Sequence, residues 1–388
     1  MIVIADLLKS KNVHVSVDSG LLKVISLIYS DQKINFYCEN ELFNNISKEI
    51  NTPLNINHKS IFSNEKYSFK YNPYLNIIKS LYYLFYILVK YNKSDDKIFI
   101  FCMHPITNYI YSKIRNLFSK SKIYIVLHSE IEQLDKVKEK NKFWRQHFYT
   151  TRMLKNNLVN SKYLVLGEVI KKNLLKVSSL HEKNIISIDH PYIYKKINTF
   201  NIDSHKTIII SSIGKINEMK KSYLIFQLGE KVKKQVIDKK IELKLIGMVD
   251  KKYLTYLNDY ASYEGIGNSY LKQEELEQKI MMSNYLIYFY ANENYKFISS
   301  GAFFDAIKYE KPIIALKNDY FEYYFRLGGN IGFLCNDLEE MERIIKKLVK
   351  SDCNDIYNLQ KHNIKLLKNK LSLENISEKL KKQLLINN

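Results

Sequence analysis

Short, almost wholly apolar runs alternate along this chain with longer segments whose apolar residues recur every three or four positions. The runs read as strands buried on both faces, and the longer segments as amphipathic helices that cover them. In the first half, strands are predicted at Val13–Val17, Ile34–Cys38, Lys97–Met103, Ile123–His128 and Tyr163–Leu166. Helices are predicted between them at Leu21–Tyr29, Tyr74–Tyr91, Asn108–Phe118 and Trp144–Leu158. Such alternation argues for a parallel sheet with helices on both faces.

The pattern pauses over residues 190–206, a polar stretch with one proline and no period, which reads as a linker. It resumes with strands at Thr207–Ile213, Glu242–Ile246, Tyr285–Tyr290 and Pro312–Leu316, and helices at Lys220–Lys233, Gln273–Met282, Ala302–Tyr309 and Leu338–Val349. The expectation is an α/β protein of two doubly wound domains, residues 1–195 and 196–370. A C-terminal helix follows within 371–388, with packing against the first domain as one expectation. Its pattern, Ser372–Leu385, carries Glu early and Lys late, which suits the helix dipole. Two parallel sheets in tandem predict an interdomain cleft between their carboxyl ends, where open α/β sheets bind ligands. Function is therefore sought in the loops that follow strands.

Composition narrows the picture. At 388 residues the chain suits two domains of roughly 180 residues. The 46% apolar content supports packed cores, and only 11 Gly and 5 Pro argue against sandwiches and low-complexity linkers. The net charge of +20 favours an anionic partner: nucleic acid, an anionic membrane face or a phosphorylated substrate. A lysine-rich genome explains the same charge. Cys38, Cys102, Cys335 and Cys353 are far apart, so neither a zinc site nor a disulfide framework is expected. Met1–Ser10 lacks a signal-peptide layout, and the most apolar stretch, Leu81–Val89, is much shorter than the ~20 residues of a spanning helix. The expected location is cytoplasmic, with any membrane contact peripheral. Tyr67–Lys93, aromatic and basic, reads either as a membrane-interface helix or as a buried flank of the first sheet, and burial is preferred.

Two strand ends in the second half suit an anion. Gly214-Lys215 follows the strand Thr207–Ile213, and Lys220-Lys221-Ser222 is predicted to open the next helix. Glycine permits a tight turn, and a lysine-flanked helix start attracts a diphosphate. The same residues also read as a surface turn with solvated lysines. Ser299-Ser300-Gly301 precedes a helical pattern and makes a natural N-cap whose amides are expected to be open to a phosphate.

As a set, these segments resemble the donor half of GT-B glycosyltransferases. Ser300 through Ala315 is similar to the donor-site helix and the turn into the next strand. Gly214-Lys215 with Lys220 resembles the family's Gly-Arg…Lys pair. Lys244–Gly247, Gly267-Asn268, Glu274–Leu276, Ser283–Tyr285 and His190–Tyr192 match weaker pieces, so the resemblance covers residues 190 to about 350. Two departures leave retention or inversion open. The family's Glu-x7-Glu has Asp305 at its second position and Phe297 eight residues earlier, and the glycine of Gly-Lys-Pro is Glu310.

The resemblance implies two Rossmann-like domains and a nucleotide-sugar donor held by Gly214, Lys215, Lys220, Ser299, Ser300, Gly301 and Asp305, with no metal and no cofactor. Lys215, Lys220 and the Ser300 and Gly301 amides would stabilise the leaving diphosphate. Asp305 would take a sugar or ribose hydroxyl, or is a helix-surface carboxylate. The first domain would bind a glycan or lipid-linked acceptor. There Asp18, His104, His128 and Glu130 follow predicted strands, and an inverting reaction needs such a base. His128, Asp18 and Glu130 are the catalytic candidates and His104 lies on the acceptor side. Asp18 also reads as an N-cap, and a lone His104 as structural. The function expected is sugar transfer in surface polysaccharide or glycoconjugate synthesis. The alternatives are a nucleotide-sugar epimerase of the same shape, and a basic nucleic-acid-binding protein, against which no recognised module is present.

Overall fold

The computed structural model of the chain describes residues 1–11, 13–62, 73–118, 120–132, 134, 146–195, 207–214, 216–267, 271–291, 295–350 and 353–386. They form two compact units, Met1–Ile193 with Leu371–Asn388, and Tyr194–Lys370.

The first unit is built on seven strands: β1 (Ile2–Asp6), β2 (Ile34–Cys38), β3 (Ile56–Ser60), β4 (Lys97–Cys102), β5 (Lys122–Leu127), β6 (Ser161–Val165) and β7 (Ile185–Ser187). Their order is β3-β2-β1-β4-β5-β6-β7, all parallel. Helices α1 (Val15–Ile28), α2 (Asn40–Ile50), α3 (Pro73–Lys90), α4 (Pro105–Ile114), α5 (Gln146–Met153) and α6 (Glu168–Val177) alternate with them. The second unit has six parallel strands: β8 (Ile208–Ile213), β9 (Ile241–Val249), β10 (Ser262–Ile266), β11 (Tyr285–Tyr288), β12 (Ile313–Leu316) and β13 (Gly332–Cys335). Their order is β10-β9-β8-β11-β12-β13. Its helices are α7 (Leu224–Lys231), α8 (Lys233–Ile237), α9 (Gln273–Met282), α10 (Gly301–Lys308), α11 (Asp319–Gly328), α12 (Leu338–Lys350) and α13 (Asn354–Lys370).

The last helix, α14 (Leu373–Ile386), belongs to the first unit. It lies on α1 and β7 and puts Ile376, Leu380 and Leu384 into that core. Gln383 exchanges hydrogen bonds with the Ser187 backbone, and Lys379 pairs with Asp189 at 3.2 Å.

Both sheets have the doubly wound order, which reverses direction between β1 and β4 and between β8 and β11. Ligands of such sheets sit outside the carboxyl ends at those switch points. The structure corrects the start of the chain. Val13–Val17 is no strand: Ile2–Asp6 is β1, buried at every position, and α1 begins at Val15. A central parallel strand is buried on both faces and so shows a continuous apolar run, whereas the alternation of Val13–Val17 belongs to a loop and a first helical turn.

Candidate active site

In the first unit the chain turns sharply after β1. The Asp6 carboxylate accepts the amides of Leu8 (3.0 Å) and Lys9 (2.8 Å), a side-chain-closed turn. Leu7 donates to the Cys102 carbonyl at the end of β4. Glu39, at the end of β2, caps α2 and also accepts the Lys11 amide, which ties the β1–α1 loop to the neighbouring strand.

Lys9 points inward. Its ammonium lies 3.3 Å from Asp18 and 3.9 Å from Asp6, and all three side chains are buried. Burial works against the lysine's charge, but Asp18, Cys102, Asp6 and Glu130 outweigh it and raise its pKa. Burial, reinforced by Asp6, raises the Asp18 carboxyl despite Lys9, because one ammonium serves two carboxylates. Asp18 therefore does not follow a strand, as the sequence suggested. It lies in the first turn of α1, where the helix dipole favours a carboxylate. Its second oxygen has no hydrogen-bond partner among the described residues.

Beside this pair stand three histidines. His14 precedes α1 with φ 62, a left-handed conformation costing an L-residue roughly 1–3 kcal/mol and found preferentially at functional sites. Its ring meets the His128 ring edge-on, centroids 4.9 Å apart, and His190 is 6.2 Å from His128. His128 follows β5, and its amide donates to the Glu130 carboxylate at 3.2 Å. His190 follows β7 and is held by Pro191, whose carbonyl passes so close to α1 that a Cβ on Gly20 would lie 2.3 Å from its oxygen. Burial, Lys9 and His190 lower His14 to about 4, and burial lowers His190 to about 4. His128 is pushed well down by burial, His14, Lys9 and His190. At neutral pH the rings are uncharged and keep lone pairs that accept a proton. Burial raises the Glu130 carboxyl. Among the described residues no group of three or more His, Cys, Asp or Glu side chains is arranged to hold a metal.

His104 stands apart from this cluster in role. It is the N-cap of α4, its Nδ1 accepts the Ile106 amide at 3.2 Å, and burial lowers its pKa to about 4. Sequence reasoning named Asp18, His128 and Glu130 but missed Lys9 and His14. The polar residues of Leu7–His14, after an unrecognised strand, were the only signal.

In the second unit, β8 ends at Gly214, φ 95, whose amide bonds to the Ile246 carbonyl. Gly247 on β9 lies so close to this turn that a Cβ would fall 2.4 Å from the Gly214 oxygen. Lys215 lies outside the described residues. Lys220-Lys221-Ser222 does not open a helix: it belongs to a turn that runs up to α7 at Leu224. Lys221 takes φ 48 there, which helix geometry forbids. The turn folds half-buried Lys220 back beneath Gly214, where a Cβ would meet its Nζ at 2.8 Å. Burial lowers the Lys220 pKa, and the nearby Asp305 carboxylate opposes this. Asp305, half-buried on α10, thus faces the same charge.

Ser300 caps α10, its Oγ accepting the Phe303 amide. Open amides were expected at Ser300 and Gly301. The Ser300 amide is engaged by the Tyr320 hydroxyl at 3.2 Å, and its Oγ meets the Tyr290 hydroxyl at 2.9 Å. Ser299 also reaches Tyr320, at 3.4 Å. Gly301 alone is open: it is exposed, and nothing lies within 4 Å of where its Cβ would sit. An aromatic frame holds this loop. Tyr290 stacks on Tyr295 at 3.9 Å, and Asn318, which caps α11, donates to the Tyr290 carbonyl. Tyr290, Tyr320 and Asn318 were not singled out from sequence, because their hydroxyl and amide partners are distant along the chain. Gly214 and Lys220, on the chain after β8, and Gly301, at the start of α10, thus lie at the switch point of the second sheet, and Lys9, Asp18, His14 and His128 at that of the first.

No protein-family model matches the chain, and no curated protein matches its sequence. Solved structures do match. Over the full length of both chains it resembles Anabaena HepE in complex with UDP and glucose, with TM-score 0.65 and 11% identity. The lipopolysaccharide outer core galactosyltransferase WaaB matches over 99% of both chains, with TM-score 0.59 and 15% identity. A variant of S. aureus TarM in complex with fondaparinux, alpha-GlcNAc-glycerol and UDP matches 79% of this chain with TM-score 0.53 and 17% identity. The chain spans 58% of the length of TarM. At such identities the likeness is one of architecture, and with two parallel sheets of seven and six strands the chain has the GT-B glycosyltransferase fold.

Proposed function

We propose that this chain is a glycosyltransferase that moves a sugar from a nucleotide-sugar to a glycan or lipid-linked acceptor in surface polysaccharide or glycoconjugate synthesis. The observation that carries the reading is the convergence of Gly214, buried-headed Lys220 and open Gly301 on the switch point of the second sheet. Gly214 admits the Lys220 ammonium against the backbone, open Gly301 leaves room for a diphosphate, and Lys220 supplies the positive charge. As the glycosidic bond to the leaving diphosphate breaks, negative charge grows on its oxygens, and fixed donors stabilise that charge most. Lys220 would serve without a metal. The Asp305 carboxylate favours the Lys220 charge, and Asp305 would accept a sugar or ribose hydroxyl.

The acceptor side is assigned to the first unit. His128 is the proposed base, uncharged at neutral pH, with its loop fixed by Glu130. Asp18 is reassigned from base to positioning residue: it is fully buried and holds Lys9. The four cysteines form no disulfide, which suits a reducing, cytoplasmic setting.

Turnover assays with UDP-, GDP- and CDP-sugars test this. One donor should be consumed with sugar appearing on an acceptor, and chelator should leave the rate unchanged. His128→Ala should keep donor affinity and lose kcat by about 10²–10⁴-fold if His128 is the base. Release of an isomerised free nucleotide-sugar would contradict the reading, as would unchanged kcat in His128→Ala with an inverted product.

A further inference from the structure

The helix α3 has two faces. Leu84, Ile87 and Leu88 are fully buried on one. The other presents Ile78, Tyr82, Phe85 and Val89 to solvent, 61%, 63%, 39% and 69% exposed. Their spacing of three and four residues lines them up as one stripe, about 17 Å long at the rise of an α-helix. Ordinary surface apolar residues occur singly, and a contiguous stripe marks an interaction surface. The stripe continues past the helix: Phe85 packs edge-on against Phe118, and the adjacent Leu117 is 75% exposed. Sequence reasoning had preferred a buried helix, and the structure gives it one buried and one exposed face. The start of that aromatic segment, residues 67–72, lies outside the described residues.

The charge around this stripe is mainly positive. α3 contains no Asp or Glu. Lys90 and Lys93 are exposed at its C-terminal end, and Lys120 is exposed on the segment whose amide bonds to Asn92. Of the nearby acids, Asp96 is buried and paired with the N-terminal ammonium at 3.1 Å, which leaves Asp95 exposed. Apolar residues with aromatic members, rimmed by lysines, match the interface of an anionic bilayer, where rings sit at headgroup level and lysines meet phosphates. Among the described residues no helix is long and apolar enough to cross a membrane.

We infer that the first unit docks peripherally on an anionic phospholipid surface through the exposed face of α3, with Ile78, Tyr82, Phe85, Val89 and Leu117 entering the interface and Lys90, Lys93 and Lys120 meeting the headgroups. This inference stands independently of the sugar-transfer reading. Vesicle flotation of the full chain tests it, with phosphatidylcholine vesicles and with vesicles containing phosphatidylglycerol, at low and high salt. The wild type should float with the anionic vesicles and be released by high salt. Tyr82→Ser/Phe85→Ser/Val89→Ser should bind at least roughly tenfold more weakly with unchanged circular dichroism, since these solvent-facing positions contribute little to the core. Lys90→Glu/Lys93→Glu should weaken binding to anionic vesicles too. Equal flotation with neutral vesicles, no flotation at all, or a triple variant that floats like wild type would overturn the inference. So would a dimer dissolved by the triple variant in a chain that binds no vesicle, since the stripe would then belong to a second copy.

Discussion

At the scale of single residues, the second-unit site divides into groups fixed by the protein and one left open. Ser300 is held by Tyr290 and Tyr320, whereas Gly301 faces empty space. If a diphosphate lies against Gly301, a methyl group there collides with the ligand and with nothing in the protein. Gly301→Ala should therefore keep or slightly raise the melting temperature and weaken nucleotide binding by about tenfold, a loss of ~1.4 kcal/mol. Thermal melting and calorimetric titration of one variant read both numbers, and intact binding would remove Gly301 from the site. Lys220 and Gly301 were legible from sequence because a strand, a glycine and a nearby lysine or N-cap are local signals. Lys9 and His14 were not. Lys9 gains its meaning from Asp18 and Asp6, and His14 from His128, more than a hundred residues away.

At the scale of elements, runs with strong period were readable. Ile34–Cys38 and Gln273–Met282 were placed at their observed bounds. Strands on the sheet edges were missed, since β3 (Ile56–Ser60) and β10 (Ser262–Ile266) are half-exposed and carry polar residues with no apolar run. The turn after α10 shows how a family pattern and local physics meet. Where GT-B glycosyltransferases were expected to have glycine, Glu310 takes the left-handed φ of 52 that glycine adopts freely. The Lys368 ammonium, 3.3 Å from its carboxylate, partly offsets the strain. Left-handed backbone costs an L-residue roughly 1–2 kcal/mol, so Glu310→Gly should be about 1 kcal/mol more stable than Glu310→Ala, both lacking the ion pair. Equal stability in denaturant titration would show that the turn carries no such strain.

At the scale of the whole molecule, the doubly wound order of both sheets was legible as strand-helix alternation, and it is what brings distant loops to each switch point. The buried histidines give the fold a pH dependence. His14, His104 and His190 are lowered to about 4 from an ordinary value near 6.5, so the unfolded chain takes up protons first as pH falls. Their stabilising contribution is complete above about 6.5 and is lost as pH drops from there to 4. Melting temperature should fall across that window, and His190→Asn should flatten the fall. An unchanged slope in the variant would mean that His190 does not titrate with unfolding.

The central claim is that the second unit binds the diphosphate of a nucleotide-sugar through Lys220. Calorimetric titration of the wild type and Lys220→Ala with UDP, GDP and CDP in the presence of chelator tests it most directly. The account predicts saturable binding of one of these to the wild type and a roughly 10- to 100-fold weaker affinity in the variant, the loss of one charged hydrogen bond. Equal affinity in the two proteins, or binding that appears only when a divalent metal is restored, would contradict it.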